Sequence, residues 1–596
     1  MNKRKALTLM SLLLCVMLVL TGCGSKDEQK TPGDGNETTG RAEPRKITYW
    51  IPKGEDARYY AEYEDNPVVQ YIYANYEFNG APLYIDFFTA PIGSEQDNFN
   101  VLLSTGEYCG VMDVSMNTGT SPAALYEQGI ILDLTDLYEE YMPNYCAVLD
   151  RFPELKNDTY SVIDGEKKVL SLYTLQTMPD DPFEGYCYRR DWIAKYGKNP
   201  VTGEPFTYGF TDPENTDTWQ DDIVFPSGET EPIYISDWEW MFDIFKTAIT
   251  EQGISGGYCF APYYMGYMET GDLSSSFGGG GIGYSIKDGV IVDGYTSDNA
   301  RAYMQCLNNW YNNGWIDTAF AEHTNDMFYA IDIESVYQGK VGLWQGRPSA
   351  LGNQLDTGSG YTEGAMVFGC RLPINDVYGG DAQKNIAPDR YMRTTQLGGG
   401  IVLTNKLSQD EAIAFMQFID FLFTEEGDRL RNVGLNQEQY EAFGSELYDR
   451  LGVKGGNYTI DDEGYIHSFF TDNSNPDSVA VIMGRVIGLV DHTHTLFEYV
   501  PYVTDGVAAW AYYPNSAAVG AGVINAVPVS QQKTITKLKA NLDHFLAKTI
   551  PQIIKGTSTY DIYDDDSWAQ FVKDAQKYGS STIAEYYQQA YDLLNQ

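Results

Sequence analysis

The sequence predicts an α/β architecture. Strand-type alternation and helix-type periodicity take turns along the chain from residue 46 onward. Hydrophobic residues make up 43% and aromatics 14%, enough apolar material for several packed cores despite a formal net charge of −43. No internal repeat of about 20–50 residues is present, which removes solenoids and propellers.

The elements follow in order. "KITYW", ending at Trp50, alternates as a strand; "PLYIDFF" reads as a second strand, "NFNVLLSTG" as a helix end and "GVMDVS" as a third strand. "SPAALYEQG" and "LTDLYEEYMPNY" read as helices, the latter with Thr135 or Asp136 suited to cap its free N–H groups. "KVLSLYTL" is strand-like, and "YCYRRDWIAKYG" is a strand running into a helix capped near Asp191. "DWEWMFDIFKTAIT" is an amphipathic helix, and "YSIKDGVIVDGY" is a hairpin around Asp288-Gly289, a pair suited to a tight turn. Residues 197–232 are polar and turn-rich and read as a surface insertion, while the last 60 residues are helical in pattern.

The start of the chain bears on its compartment. Lys3, Arg4 and Lys5 precede a Leu-rich stretch from Ala6 to Leu20, and small residues lead to Cys23. A spanning helix needs about 20 apolar residues, so this stretch reads as an export signal, with a short uncleaved anchor as the alternative. Residues 24–45 form a polar Gly-, Thr- and Pro-containing tether. Loss of the three cations in residues 1–22 takes the net charge from −43 to −46. Such a surface repels phosphate backbones, so nucleic acid is excluded as a partner. The other mature cysteines, Cys109, Cys146, Cys187, Cys259, Cys306 and Cys370, are widely spaced and form no zinc motif. Disulfides and buried free thiols both remain open for them.

Catalytic constellations are scarce. His492 and His494 would share one strand face, but no further ligand stands at a familiar spacing, so surface histidines are the preferred reading. "FGGGGIGYS" satisfies G-x-G-x-x-G through Gly278, Gly280 and Gly283, yet a hairpin follows it where a dinucleotide site needs a helix. Asp212, Asn215, Asp217, Asp221 and Asp222 offer hard oxygen ligands that could hold Ca²⁺, without the EF-hand spacing; an acidic loop is the better reading. Among 83 acidic residues no carboxylate pair is marked out for hydrolysis. No cofactor is expected. The aromatic supply is more informative. Forty-seven tyrosines and ten tryptophans often stand beside polar groups, as in "TYWIPKGE", "DWEW", "GLWQGRP" and "AAWAYYPN". Flat rings with neighbouring hydrogen-bonding groups suit carbohydrate, or alternatively peptide, recognition.

Several motifs together resemble one family, the solute-binding lipoproteins of ABC importers, of the extracellular family 1 type and its LipO- or YtcQ-like branch. "LTGC" (20–23) resembles the bacterial lipobox, "EQGIILDLTDLYEEYMPNY" (127–145) the helix-loop-helix of the first lobe, and "YCYRRDWIAKYG" (186–197) an R-x-DW segment. "NNWYNNGWIDTAF" (308–320), "YQGKVGLWQGRP" (337–348), "LTNKLSQDEAIAFMQFIDFLFTEEGDRLRNVG" (403–434) and "DSWAQFVKDAQKYGSSTIAEYYQQAYD" (566–592) are similar to later family segments. The insertion at 197–232 and Arg347-Pro348, where many relatives carry Gly-Pro-Trp, depart from the pattern.

The resemblance implies a periplasmic-binding-protein-like type II fold, two α/β lobes around a ligand cleft with a helical C-terminal region. It implies a signal peptide over 1–22, a tether lipidated on Cys23 over 23–45, and a binding domain over 46–596. Lobe 1 would take about 46–172 and about 395–435, and lobe 2 about 173–394 with much of 436–596. The expected function is capture of a carbohydrate, probable length an oligosaccharide, for an ABC permease at the outer face of the membrane, with no catalysis. A peptide binder on the same scaffold and a secreted glycoside hydrolase are the alternatives. Trp50, Trp344 and Arg347 are the expected ligand contacts, with Tyr188, Trp240 and Trp510 beside them.

Overall fold

A computed structural model describes residues 42–595 except 53–62, 116–119, 178–184, 207–222, 263–272, 279–282, 322–332, 359, 380–395, 444–457, 463–465, 469–485, 487, 491–500 and 513–518. Cys23, the Ca²⁺ candidates at 212–222, His492, His494 and Gly280 lie outside the described residues. The chain divides into two compact units. Unit 1 comprises Met1–Thr177, Thr395–Thr471 and Val479–Thr495; unit 2 comprises Met178–Thr394, Asp472–Ser478 and Leu496–Gln596.

The first six strands belong to unit 1: β1 (Arg45–Trp50), β2 (Leu83–Phe88), β3 (Val111–Asp113), β4 (Ser161–Ile163), β5 (Glu166–Lys168) and β6 (Leu172–Gln176). Unit 2 holds β7 (Gly185–Arg189), β8 (Tyr258–Phe260), β9 (Tyr284–Lys287), β10 (Val290–Asp293), β11 (Val341–Gly346) and β12 (Val367–Cys370). The chain then returns to unit 1 for β13 (Gln396–Leu403), β14 (Tyr458–Ile460), β15 (Ile466–Ser468) and β16 (Leu489–Val490).

The main sheet of unit 1 has the order β16-β6-β13-β3-β1-β2. β1 lies parallel to β2 and β3, and β16 parallel to β6, while β13 runs antiparallel to both β3 and β6. A lobe boundary at residue 172–173 would cut β6, whose pairing with β13 keeps all of it in unit 1. Ile47 and Tyr49 on one face of β1 are buried, and Tyr49 meets Phe415 edge-on at 5.6 Å. Phe415 sits on the helix Gln409–Phe421, whose start is a capping box between Ser408 and Glu411.

Unit 2 is built on a sheet of order β12-β7-β11-β8 with the hairpin β9–β10 beside it. The hairpin turns at Asp288 (φ 51°) and Gly289 (φ 79°), as the Asp-Gly pair predicts. The helix Ile235–Gln252 contributes Trp238 and Phe242, which pack with Phe260 and with Trp310 of the helix Asp298–Asn312. A second core gathers Trp344, Cys187, Val367, Val503, Val507 and Trp510 beneath the helix Pro501–Trp510. The helices Val529–Ile554, Asp565–Lys577 and Ser580–Leu594 form the C-terminal part, joined to the hairpin through Tyr284, which donates to the Ser580 carbonyl at 2.9 Å.

Two expected caps are replaced by other bonds. Neither Thr135 nor Asp136 caps a helix: the helical turn Tyr138–Tyr141 starts at Leu137, and Thr135 Oγ1 instead accepts from Val169 N at 3.0 Å. Asp191 does not cap the helix Arg190–Tyr196 either. Its carboxylate takes a two-pronged bond from Arg189, at 2.8 and 2.7 Å, because a buried guanidinium needs a charged partner more than a helix end does. Cys146, Cys187, Cys259, Cys306 and Cys370 are free thiols.

Candidate functional site

In open α/β sheets, ligand-binding groups collect beyond the carboxyl ends of the strands. In unit 1, β1, β2, β3, β6 and β16 all end at one edge, and β13 begins there. That edge carries Trp50, Phe88, Asp113 and Gln176. Trp50 is the last residue of β1, on the face opposite Tyr49, and is 2% exposed. Its indole Nε1 donates to Asn98 Oδ1 at 2.8 Å, and its ring meets Phe99 at 5.4 Å. Both partners stand on the helix Glu95–Thr105, which follows β2 and ends at Gly106 in the left-handed region (φ 74°). Asp113 ends β3, is buried, and accepts from Ser115 N at 2.7 Å and from the Ser115 hydroxyl. Its two acceptor contacts hold the carboxylate in a fixed orientation at the edge.

In unit 2, β8, β11 and β12 run one way and β7 the other. Their common edge therefore holds the residues that follow Phe260, Gly346 and Cys370, together with Gly185 at the start of β7. Arg347 leaves β11 there, half-buried. Arg371 leaves β12, and its guanidinium lies over the Tyr512 ring with Cζ 4.2 Å from the centroid. Trp510, two residues before Tyr512, lies against Gly185 and Gly369, where no side chain would fit, and donates from Nε1 to the Tyr186 carbonyl at 2.9 Å.

The expected contact residues thus fall into different surroundings. Trp344, Tyr188 and Trp510 are each 1% exposed, with their rings covered by unit 2's own packing. Trp344 and Trp510 share one core with Cys187. The Tyr188 hydroxyl accepts from Arg190 Nη1 at 2.6 Å, and burial pushes its phenol up to about 12, so it stays neutral. Trp240 is half-buried and meets Phe225 and Phe206 edge-on. Trp50 and Arg347 stand at strand carboxyl edges, one in each unit. Much of the aromatic excess is core: Trp192, Trp238 and Trp310 are each no more than 1% exposed.

The Arg189-Arg190-Asp191-Trp192 run is also structural. Arg189 is ion-paired to Asp191 and lies 4.5 Å above the Trp192 ring, while Arg190 lies 4.9 Å above Phe368. Sequence reasoning missed Asn98, Asp113, Arg371 and Tyr512. Tyr512 was inside a marked aromatic stretch, but nothing local distinguishes Arg371, since its partner is set by the return of a distant helix.

The buried carboxylates serve the backbone. Burial raises the pKa of Asp237 and of Asp420. Asp237 accepts from the N–H groups of Ser227, Ile233 and Tyr234, and Asp420 from Tyr145 N and Asn144 Nδ2. Among the described residues no group of three or more His, Cys, Asp or Glu is placed to hold a metal ion. Among them, too, no helix is long and apolar enough to cross a membrane.

Two α/β units between which the chain passes more than once, with a helical C-terminal part, give the fold of extracellular solute-binding proteins. A solved extracellular solute-binding protein from Bifidobacterium longum subsp. infantis matches 92% of this chain and 98% of its own, with a TM-score of 0.62 at 12% identity. A HMO-binding, ABC-transporter-associated solute-binding protein from Bifidobacterium longum infantis matches 93% and 99%, with a TM-score of 0.61 at 13% identity. The S. pneumoniae ABC-transporter substrate-binding protein FusA, solved with kestose, matches 92% and 99%, with a TM-score of 0.57 at 15% identity. No protein-family model and no curated protein sequence matches the chain.

Proposed function

We propose that this chain is the substrate-binding component of an ABC importer, capturing an oligosaccharide outside the cell and delivering it to the permease. The observation that carries the reading is the near end-to-end match of fold, 92–93% of this chain against 98–99% of proteins solved as transporter-associated binders. Two of those proteins are described as binding HMO or as holding kestose, and both are carbohydrate binders. Arg347, half-buried at the carboxyl edge of unit 2's sheet, supports it as a donor suited to sugar hydroxyls. Of the expected contacts we keep as proposals the half-buried Arg347 and Trp240, and Trp50 for its place at the end of β1. Trp344, Tyr188 and Trp510 act by shaping unit 2. No bond is made or broken in this role. The signal-like segment and Cys23 complete it: a thioether-linked diacylglycerol on Cys23 would hold the protein at the membrane, beside its permease.

The test is thermal unfolding of the full chain in detergent across a glycan panel. A ligand at 100 times its Kd adds about 2.7 kcal/mol of stability, so a binder shows as a clear upward shift. Shifts by glycans and none by peptides support the proposal. Shifts by peptides alone replace the substrate class, and turnover of a glycan moves the hydrolase reading to first place.

A further inference from the structure

Arg371 is one of several arginines without a carboxylate partner among the described residues of a strongly acidic protein. Asp and Glu outnumber Lys and Arg by 83 to 40, yet the ion pairs that arginines form among the described residues are those of Arg189, Arg301 and Arg429. No described carboxylate pairs with Arg371. Its Nε is buried without a hydrogen-bond partner. Its one described contact is the Tyr512 ring, face-on at 4.2 Å. Stacking of this kind fixes the plane of a guanidinium while leaving its in-plane N–H donors available.

The position of Arg371 follows from the register. Cys370 pairs with Tyr186 and Gly346 with Gly185, so Arg371 and Gly346 flank Gly185 on its two sides. Strands lie about 4.8 Å apart, which sets Arg371 and the start of the Arg347 segment roughly 10 Å from each other along the carboxyl edge. Gly185 between them carries no side chain and lies under the Trp510 ring. Tyr512, 56% exposed, brings a ring to the same place.

We infer that Arg371, held flat by Tyr512 at the carboxyl edge of unit 2's sheet, binds an anionic substituent of the captured glycan, so that the substrate class is acidic oligosaccharides. The inference rests on the carbohydrate-binding role proposed above. A planar guanidinium matches a carboxylate or a sulfate with two parallel N–H···O bonds, and the substituent supplies the counter-charge that the described part of the protein withholds.

The test is calorimetric titration of the full chain in detergent with three matched pairs. These are tetragalacturonate and its carboxyl-reduced form, 3′-sialyllactose and lactose, and a sulfated galactose oligomer with its desulfated form. The expected result is at least one acidic member binding about tenfold or more tighter than its neutral counterpart, with the preference shrinking as salt rises. Which pair responds distinguishes carboxylate from sulfate. Arg371→Gln should lose about ten- to a hundredfold on the acidic member and far less on the neutral one. Arg371→Lys should keep part of the preference, and Tyr512→Leu should weaken it with the cation still present. Unliganded melting of each variant controls for folding, and Arg371→Lys carries the test where Arg371→Gln does not fold. Equal binding of acidic and neutral members, or wild-type affinity in Arg371→Gln, overturns the inference and leaves carbohydrate capture standing. Binding of no glycan at all overturns both.

Discussion

Trp510 lies flat on Gly185. A Cβ built at residue 185 would stand 2.2 Å from the indole Cγ, and one at Gly369 would stand 3.0 Å from the indole Nε1. The helix Pro501–Trp510 thus closes on two strands that lack side chains at the contact, and its last turn leads directly to Tyr512. Gly185→Ala should therefore lift the indole and break its bond to the Tyr186 carbonyl. Overpacking of this kind costs about 1–3 kcal/mol. Urea unfolding should show a lower midpoint at unchanged slope; an unchanged midpoint would show that the helix shifts freely and that the contact is soft.

The tryptophans of the two units should separate in their effects. Trp344 is buried in unit 2's core, so Trp344→Ala should lower stability by about 3–5 kcal/mol, read in denaturant. Trp50→Ala should instead weaken binding of whichever glycan the panel identifies, by several-fold or more. Asn98→Leu removes the acceptor of the Trp50 indole and should give a milder version of the same defect. A Trp50 variant that binds like wild type would take that residue out of the site.

Glu64 should make unit 1 sensitive to pH. Burial raises its carboxyl from 4.5 to about 7, with Asp86 adding to the rise, against the bond that Glu64 accepts from Phe87 N at 3.0 Å. The folded state then holds a proton that the unfolded state releases near 4.5. Stability contributed by the protonated carboxyl is present below that value and declines as pH rises toward about 7. Glu64→Gln should flatten the melting temperature across this window. An equally steep profile in the variant would assign the dependence to other groups.

Cys23 should carry lipid. Mass spectrometry of protein extracted from membranes should find residues 1–22 removed and a diacylglycerol thioether at the new N-terminus. A free Cys23 thiol would falsify the anchoring proposal. Cys23→Ser should release the protein from the membrane fraction without altering its glycan affinity.

Much of the architecture was legible because it depends on local physics. Alternation placed β1 to within a residue or so and ended it at Trp50, and the Asp-Gly pair placed the β9–β10 turn. Caps were less legible. Asp191 is a good capping residue by type, but two residues away stands a guanidinium whose burial is decided by the sheet above it. For the proposed contacts, position along a strand was legible and burial was not. Trp50 and Arg347 are strand-terminal residues, and a strand's end can be read from its pattern. Trp344 and Trp510 stand far apart in the chain, and nothing local says that they meet in one core.

By itself, the sequence determined the alternation of strands and helices and the acidic net charge, and it marked out a leader-like segment ending at a cysteine. Those properties depend on residues close together in the chain, or on their sum. Only the tertiary structure decided which aromatic rings are core and which stand at a strand edge, that β13 inserts between β6 and β3, and that Arg371 meets Tyr512. Such contacts join residues far apart in sequence, and their free energy exists only once the backbone between them has been ordered.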